Sequence, residues 1–387
     1  MDVAIVGAGP AGAWAAHTLA RRGAQVAIFD ASHPREKPCG GGVTGRALDL
    51  IAGVVDPREW PATTIRSARF TDSRRGLSAT VKMGDGALAV ASRTAFDAAI
   101  LAAARRAGAI LVEARVTNVS ADASGIVVET PGERHRAAFL IGADGANSLV
   151  RRRLAHAFRR DEMSVATGFF ARDTTSDEIV IELVSDPPGY IWSFPRSDHL
   201  AVGICAQANA GAGMEALRAR TAAWIHDTRV AVGARLDPYS WPIPSLGVRD
   251  LESLAPAGPR WCLVGDAAGL VDPITREGIY FAMASGAWAA EAAAGSRPSH
   301  EYASRVRDEA VPELACAARL KAGFFHPAFT GLMLRALQQS DAIRAVMADL
   351  VAGRQSYCTL RRRLLATFEW RLAARALFTA RSSRLAP

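Results

Sequence analysis

Short apolar runs alternate with alanine-rich stretches along this chain, and that alternation predicts the order of elements. Asp2-Val-Ala-Ile-Val6 reads as a strand, Pro10 to Arg22 as a helix, and Gln25 to Asp30 as a second strand. Segment 31–46 holds His33-Pro34, Pro38 and Gly40-Gly41-Gly42, which predicts a loop. Leu77 to Val90 predicts a hairpin around Asp85-Gly86, a favoured turn pair. Arg93 to Arg106 is helical in pattern, and Ile110 to Val128 suggests further short strands. Phe139-Leu-Ile-Gly142 is a buried strand that runs into the turn Ala143-Asp-Gly-Ala146. Residues 163–206 read as several antiparallel strands, and Trp261-Cys-Leu-Val264 as a core strand followed by a long helix from about Arg276. From Glu301 onward the pattern is helical, with Ile343, Val346, Met347, Leu350 and Val351 on one face. No internal repeat or low-complexity linker interrupts it.

At 387 residues there is chain for two or three structural units and a large core. Half the residues are apolar and 22% are charged, an ordinary globular balance. The five cysteines (Cys39, Cys205, Cys262, Cys316, Cys358) are scattered without CxxC spacing, which argues against a disulfide framework or metal site and suits a reducing cytoplasm. The chain enters a strand at once, with no basic leader. Its most apolar stretch, Ile279 to Ala294, is broken by Glu291 and is too short to span a bilayer. The net charge of +8 is almost all arginine, because Lys37, Lys82 and Lys321 are the only lysines. No nucleic-acid signature accompanies that charge. Leu360, Leu364, Leu365, Phe368 and Leu372 fall near one helical face beside Arg361, Arg362, Arg363, Arg371 and Arg375. Such a basic amphipathic helix suits either an anionic membrane surface or a lid over the core.

The strongest motif is Gly7-Ala8-Gly9-Pro10-Ala11-Gly12. It follows a strand, opens a helix, and has Asp30 at the end of the next strand, which is the context a dinucleotide-binding turn requires. Gly7 serves the tight turn, Gly9 admits the pyrophosphate to the backbone, and Gly12 lets helix and strand pack closely. Free N–H groups at the helix start favour the anion, and Asp30 accepts from the adenosine ribose.

Two later segments, Ile141-Gly-Ala-Asp144-Gly145-Ala-Asn-Ser148 and Leu263-Val-Gly265-Asp266-Ala-Ala-Gly269, resemble the second and third fingerprints of flavoprotein reductases and monooxygenases. In those proteins the Gly-Asp carboxylate holds the flavin ribitol; a turn-capping role is the alternative for Asp144 and Asp266. Lys37-Pro38-Cys39-Gly40-Gly41-Gly42, Gly189-Tyr190-Ile-Trp192-Ser-Phe194-Pro195 and the run from Asp266 through Pro273 to Gly278-Ile279-Tyr280 are similar to the geranylgeranyl reductase family, over roughly residues 1–290. One departure stands out: Arg276 occupies a position where that family commonly has glycine.

The resemblance implies an α/β protein of the para-hydroxybenzoate-hydroxylase-like fold. A Rossmann-like FAD-binding domain (1–60, 92–157 and 255–300) would carry an inserted antiparallel β-sheet substrate domain (61–91 and 158–254) and a C-terminal helical region (301–387). It implies FAD contacts at Ala11, Asp30, Cys39, Gly40, Gly42, Arg93, Asp266, Gly278 and Ile279, with a backbone contact from Val116. Arg93 would reach a phosphate. It further implies saturation of isoprenoid double bonds by hydride from reduced FAD, with NAD(P)H or another donor binding transiently, since no second GxGxxG is present. Cys39, Tyr190 or an ordered water would supply the proton. Tyr190, Trp192 and Phe194 alternate along a strand and face one way, as core or as the wall of a channel for an apolar, prenyl-lipid-like substrate. A flavin monooxygenase or halogenase on the same fold, or a non-catalytic flavin-containing lipid carrier, are the alternatives; for a halogenase, Lys82 is the only mid-domain lysine.

Overall fold

The computed structural model describes residues 1–122 and 125–367. A six-stranded sheet forms its base, in the spatial order Ala257–Gly258, Trp261–Leu263, Phe139–Gly142, Val3–Val6, Val26–Phe29, Ile110–Val112. All neighbours are parallel except the first pair. The central strands are buried on both faces, which is why they read as unbroken apolar runs and not as alternation. The helix Pro10–Ala20 packs between the helices Arg93–Arg106 and Ile279–Ala293. Small residues allow the close approach: a Cβ on Gly286 would overlap the Ala11 carbonyl. A three-stranded sheet, Asn118–Asp122, Gly125–Thr130 and Glu133–Ala137, packs beside the base.

The second large sheet has seven strands, ordered Leu236–Pro244, Met163–Arg172, His199–Gln207, Pro188–Pro195, Glu178–Ser185, Ser67–Asp72, Leu77–Lys82. It is antiparallel apart from the pair Glu178–Ser185 and Ser67–Asp72. Its two faces are sorted by alternation. Val180, Ile191, Val202 and Ile204 face the helix Met214–Thr228 through Leu217, Trp224 and Ile225. Phe70, Ile179 and Leu183 face the helices Pro327–Gln339 and Asp341–Val351, meeting Met333, Leu334, Leu337 and Met347. The expected apolar face of the latter helix is thus the one that covers the sheet.

Four expectations need correction. Leu77–Lys82 and Leu88–Ala91 are not a hairpin: the first pairs with Ser67–Asp72, the second with Gly42–Thr44 and Ala62–Thr64 in a separate small sheet. The Asp85-Gly86 turn redirects the chain between sheets. Segment 31–46 is not wholly loop, because Gly42–Thr44 is a strand and Gly45–Ile51 a helix. The long helix begins at Ile279 and not near Arg276, whose φ of 61° is left-handed and cannot continue a helix. Cys316 and Cys358 are disulfide-bonded, Cα atoms 5.5 Å apart, joining the helices Val311–Phe324 and Tyr357–Leu365. The inference of a reducing compartment from unpaired cysteines therefore falls away. No helix among the described residues is long and apolar enough to cross a membrane.

Candidate active site

A cavity of about 1090 Å³ runs from the ends of the base-sheet strands to the apolar face of the large sheet. Gly7, Gly9, Ala11, Asp30, Cys39, Gly40, Gly42, Arg93, Val116, Asp144, Asp266, Gly278, Ile279, Tyr190, Trp192 and Phe194 all line it. Gly12 lies behind the lining, where any Cβ would overlap the Gly7 carbonyl.

At one arm of the cavity, Gly7 takes a φ of 103° against Ala143, a conformation that favours glycine. The helix that follows has Gly9 as its N-cap and no side-chain cap, so its first N–H groups stay free for an anion. Asp30 lies just past the second strand; it accepts from Ala8 N at 2.9 Å and from His33 Nδ1 at 2.7 Å. Burial works to raise its pKa, but those hydrogen bonds, with Ser32, outweigh burial and hold it well below the usual carboxylate range. His33 continues the chain of charges, with Nε2 3.5 Å from Asp97. Burial would lower its pKa; Asp30 and Asp97 overcome that and raise it.

Arg93 is buried and grips Asp97 through two nitrogens at 2.8 Å each, while Nη1 points at Cys39 Sγ, 3.7 Å away. Two of the three Arg93 nitrogens are thus engaged by Asp97, one turn along its own helix, and the third faces Cys39 in the cavity lining. Asp144 likewise has its carboxylate taken up, by Ser148 Oγ, Leu149 N at 2.6 Å and Val150 N at 3.1 Å, which is the turn-capping alternative. Asp266 is half-exposed to the cavity and paired with Lys37 Nζ at 2.8 Å.

Two of the three segments that carried the family resemblance meet in space. Phe194 packs against the glycine loop where Cβ atoms on Gly40 and Gly42 would lie 2.6 and 3.0 Å from its ring. Arg196, at 0% exposure, ties the same loop to the large sheet: Nη1 donates to Glu36 and Nη2 to the Cys39 carbonyl at 2.8 Å. Trp192 fits because Gly203 on the neighbouring strand has no side chain. The Tyr190 hydroxyl donates to the Thr275 carbonyl, joining this strand to the turn before Ile279. Burial pushes the Tyr190 phenol well upward, with Cys205 adding to the effect. Tyr190 therefore holds two elements together and is a poor acid.

Sequence reasoning missed His33, Glu36, Lys37, Asp97 and Arg196 as partners of the site. All but Asp97 lie beside motifs already recognised, yet nothing local says which carboxylate a buried arginine will meet. Arg276 donates from Nη1 to Ser245 Oγ at 2.7 Å and to the Pro273 carbonyl. Its backbone is left-handed, with a φ of 61°, a conformation that glycine adopts without steric cost. Lys321 also reaches Ser245, at 2.9 Å, and burial followed by Arg276 lowers its pKa to about 7. Lys82, by contrast, is exposed on a strand of the large sheet.

The residues present fit a flavin dinucleotide. An uncapped helix start, an acidic strand end and the Gly265-Asp266 turn line one continuous space. Thr44 Oγ1, Trp192 Nε1, Trp241 Nε1 and Arg276 Nε belong to residues that line it and are buried without protein partners. An FAD-binding domain family matches residues 1–287. The chain is 33% identical over 316 residues, 75% of each chain, to a menaquinone reductase from Mycolicibacterium smegmatis. It is 31% identical over 373 residues, 88% of this chain and 92% of the relative, to a digeranylgeranylglycerophospholipid reductase from Methanothrix thermoacetophila. The chain belongs to the geranylgeranyl reductase family of FAD-dependent oxidoreductases. A solved geranylgeranyl bacteriochlorophyll reductase-like protein from Thermoplasma acidophilum shares the fold of this family member, with a TM-score of 0.78 at 22% identity over 94% of this chain and 98% of that one. The enzyme's cofactor is accordingly FAD.

Proposed function

We propose that this flavoenzyme saturates a carbon–carbon double bond of an isoprenoid or similarly apolar chain. The observation that supports it most is the cavity itself. Its dinucleotide arm opens into a second arm walled by Phe70, Ile179, Leu183, Phe194, Phe324, Met347 and Leu350, a surface suited to a long hydrocarbon.

FAD, when bound and reduced, would supply hydride chemistry toward one alkene carbon. The protein's part is to bind, orient and exclude water. Asp30 would hold the ribose, the free N–H groups after Gly9 the pyrophosphate, Asp266 the ribitol, and Gly278-Ile279 the helix start facing the ring. Trp192 and Phe194 would hold the alkene against that ring. Cys39 is our candidate for delivering the proton to the other carbon, because its thiol lines the cavity beside the Arg93 guanidinium, whereas the Tyr190 proton is already donated.

The test is single turnover under anaerobic conditions with chemically reduced holoenzyme and a panel of prenyl lipids. Product mass should rise by hydrogen alone, and Cys39→Ala should slow that step by about a hundredfold or more with FAD content unchanged. Turnover only with oxygen, giving a hydroxylated product, would replace this reading with a monooxygenase. We further propose that the enzyme contacts anionic lipid through the helix Tyr357–Leu365, where Leu364 and Leu365 are exposed beside Arg361 and Arg362. Leu360 packs inward against the core, and Phe368, Arg371, Leu372 and Arg375 lie outside the described residues.

A further inference from the structure

Arg276 lines the cavity in the turn between Gly265-Asp266 and the helix Ile279–Ala293, and its left-handed backbone is one that glycine adopts freely and arginine does not. The guanidinium is anchored through one nitrogen, since Nη1 donates to Ser245 Oγ at 2.7 Å and to the Pro273 carbonyl. Its Nε is buried without a partner. No carboxylate forms an ion pair with it among the described residues.

The acids of the same turn are engaged elsewhere. Asp266 pairs with Lys37 at 2.8 Å, and Glu277 with Arg46 at 3.0 Å. Asp272 accepts from the backbone of Ile274 and Thr275 and faces Tyr357, whose phenol it helps burial to raise. Lys321 donates to the same Ser245 hydroxyl at 2.9 Å. Burial and then Arg276 lower the Lys321 pKa, and Cys205, not a carboxylate, opposes them. At Tyr190 burial and then Cys205 raise the phenol, and Arg276 pulls it back. Two cations therefore share one hydroxyl with no acid bound to Arg276, an arrangement that is costly in a partly desolvated space until an anion completes it. The fifteen-residue helix Ile279–Ala293 adds the same sign, because it starts at Gly278 in the cavity lining and has no side-chain cap.

We infer that Arg276 is a redox-tuning residue: beside the Gly278-Ile279 helix start, it stabilises the negative charge that reduction leaves on FAD and so raises the cofactor's reduction potential. Uptake of two electrons and one proton, from a reduced nicotinamide or another two-electron donor, makes the flavin ring one unit more negative. A nearby guanidinium gains little from the neutral oxidised ring and a Coulomb attraction from the reduced one, so the equilibrium shifts toward reduction. A raised potential lets a weak donor fill the flavin with electrons, and glycine at this position could not supply the charge. The inference rests on FAD as the cofactor and on the ring lying against Gly278-Ile279, as proposed above; it does not depend on which bond is later reduced.

The experiment is the reduction potential of FAD in substrate-free holoenzyme, measured by anaerobic equilibration with reference dyes, for wild type, Arg276→Gly and Arg276→Lys. Glycine suits the left-handed backbone, so Arg276→Gly should fold and keep its flavin. Its potential should fall by about 30 to 60 mV, a ten- to hundredfold loss of preference for the reduced state in a two-electron couple. Arg276→Lys keeps the charge and should recover at least half of that shift. An unchanged potential in Arg276→Gly, or an equal fall in both variants, would overturn the inference. So would a wild-type potential at or below that of free FAD in the same buffer, a comparison that stands even where a variant misfolds. No alkene takes part in these measurements, so failure of the enzyme to saturate a prenyl lipid would sink the reductase reading alone.

Discussion

Gly9 separates folding from cofactor binding at a single residue. Its φ of −68° is open to any amino acid, and the atoms that a Cβ there would approach belong to the His33 ring, the nearest at 3.5 Å. Gly9→Val should therefore fold, yet block the backbone approach that a pyrophosphate needs and give colourless protein. A full flavin spectrum in that variant would refute the pyrophosphate assignment. His33 offers a second test, through pH. Its pKa is raised above the ordinary 6.5 by Asp30 and Asp97, so its contribution is complete below 6.5 and is lost as pH rises through the folded value. Asp30 and Asp97 are depressed, so theirs is present above the ordinary 3.8 and is lost as pH falls through their folded values. The thermal midpoint of flavin-depleted protein should decline on the alkaline side of pH 6.5, and His33→Asn should flatten that decline. Parallel curves for the two proteins would remove His33 from the network.

Among the elements, the most consequential feature that sequence could not supply is the clip between the helices Val311–Phe324 and Tyr357–Leu365. The bond closes a loop with a sequence separation of 42, for which chain entropy gives about 4 kcal/mol of stabilisation. Replacing both Cys316 and Cys358 by serine should lower unfolding stability by an amount of that order in chemical denaturation. An unchanged midpoint would mean that the helices are held by packing alone. The clip also bears on the cavity, because the two helices carry Glu313, Phe324 and Tyr357 into its lining. Spacing in the sequence hides such a pair, since proximity depends on how two helices dock. The misread hairpin has the same cause. Leu77–Lys82 shows alternation that reveals a buried face, and Asp85-Gly86 is a true turn, but alternation does not name the partner strand. Those partners, Ser67–Asp72 on one side and Gly42–Thr44 with Ala62–Thr64 on the other, belong to different sheets.

For the molecule as a whole, the net charge of +8 is the excess left after every acid is counted, and ion pairing decides which arginines carry it. Arg363, for instance, is held by Asp349, leaving Arg361 and Arg362 near the exposed Leu364 and the 55%-exposed Leu365. If that patch meets a membrane, co-sedimentation with anionic vesicles should exceed that with neutral ones and fall as salt rises. Equal sedimentation at low salt would eliminate an electrostatic membrane contact.

What the sequence determined by itself was whatever depends on local chemistry. The glycine turn, the strand-ending Asp30 and the ordered later fingerprints each need particular residues at fixed spacing around a ligand, so they survive as readable text. The alternation of Tyr190, Trp192 and Phe194 likewise announced one shared face. Tertiary structure decided which residues touch: Phe194 on Gly40 and Gly42, Arg196 on Glu36 and the Cys39 carbonyl, and Arg93 turned back on Asp97. Such pairings form because buried charges and hydroxyls must find partners after the sheets and helices have packed. The partner is then set by three-dimensional neighbourhood, for which position along the chain is no guide.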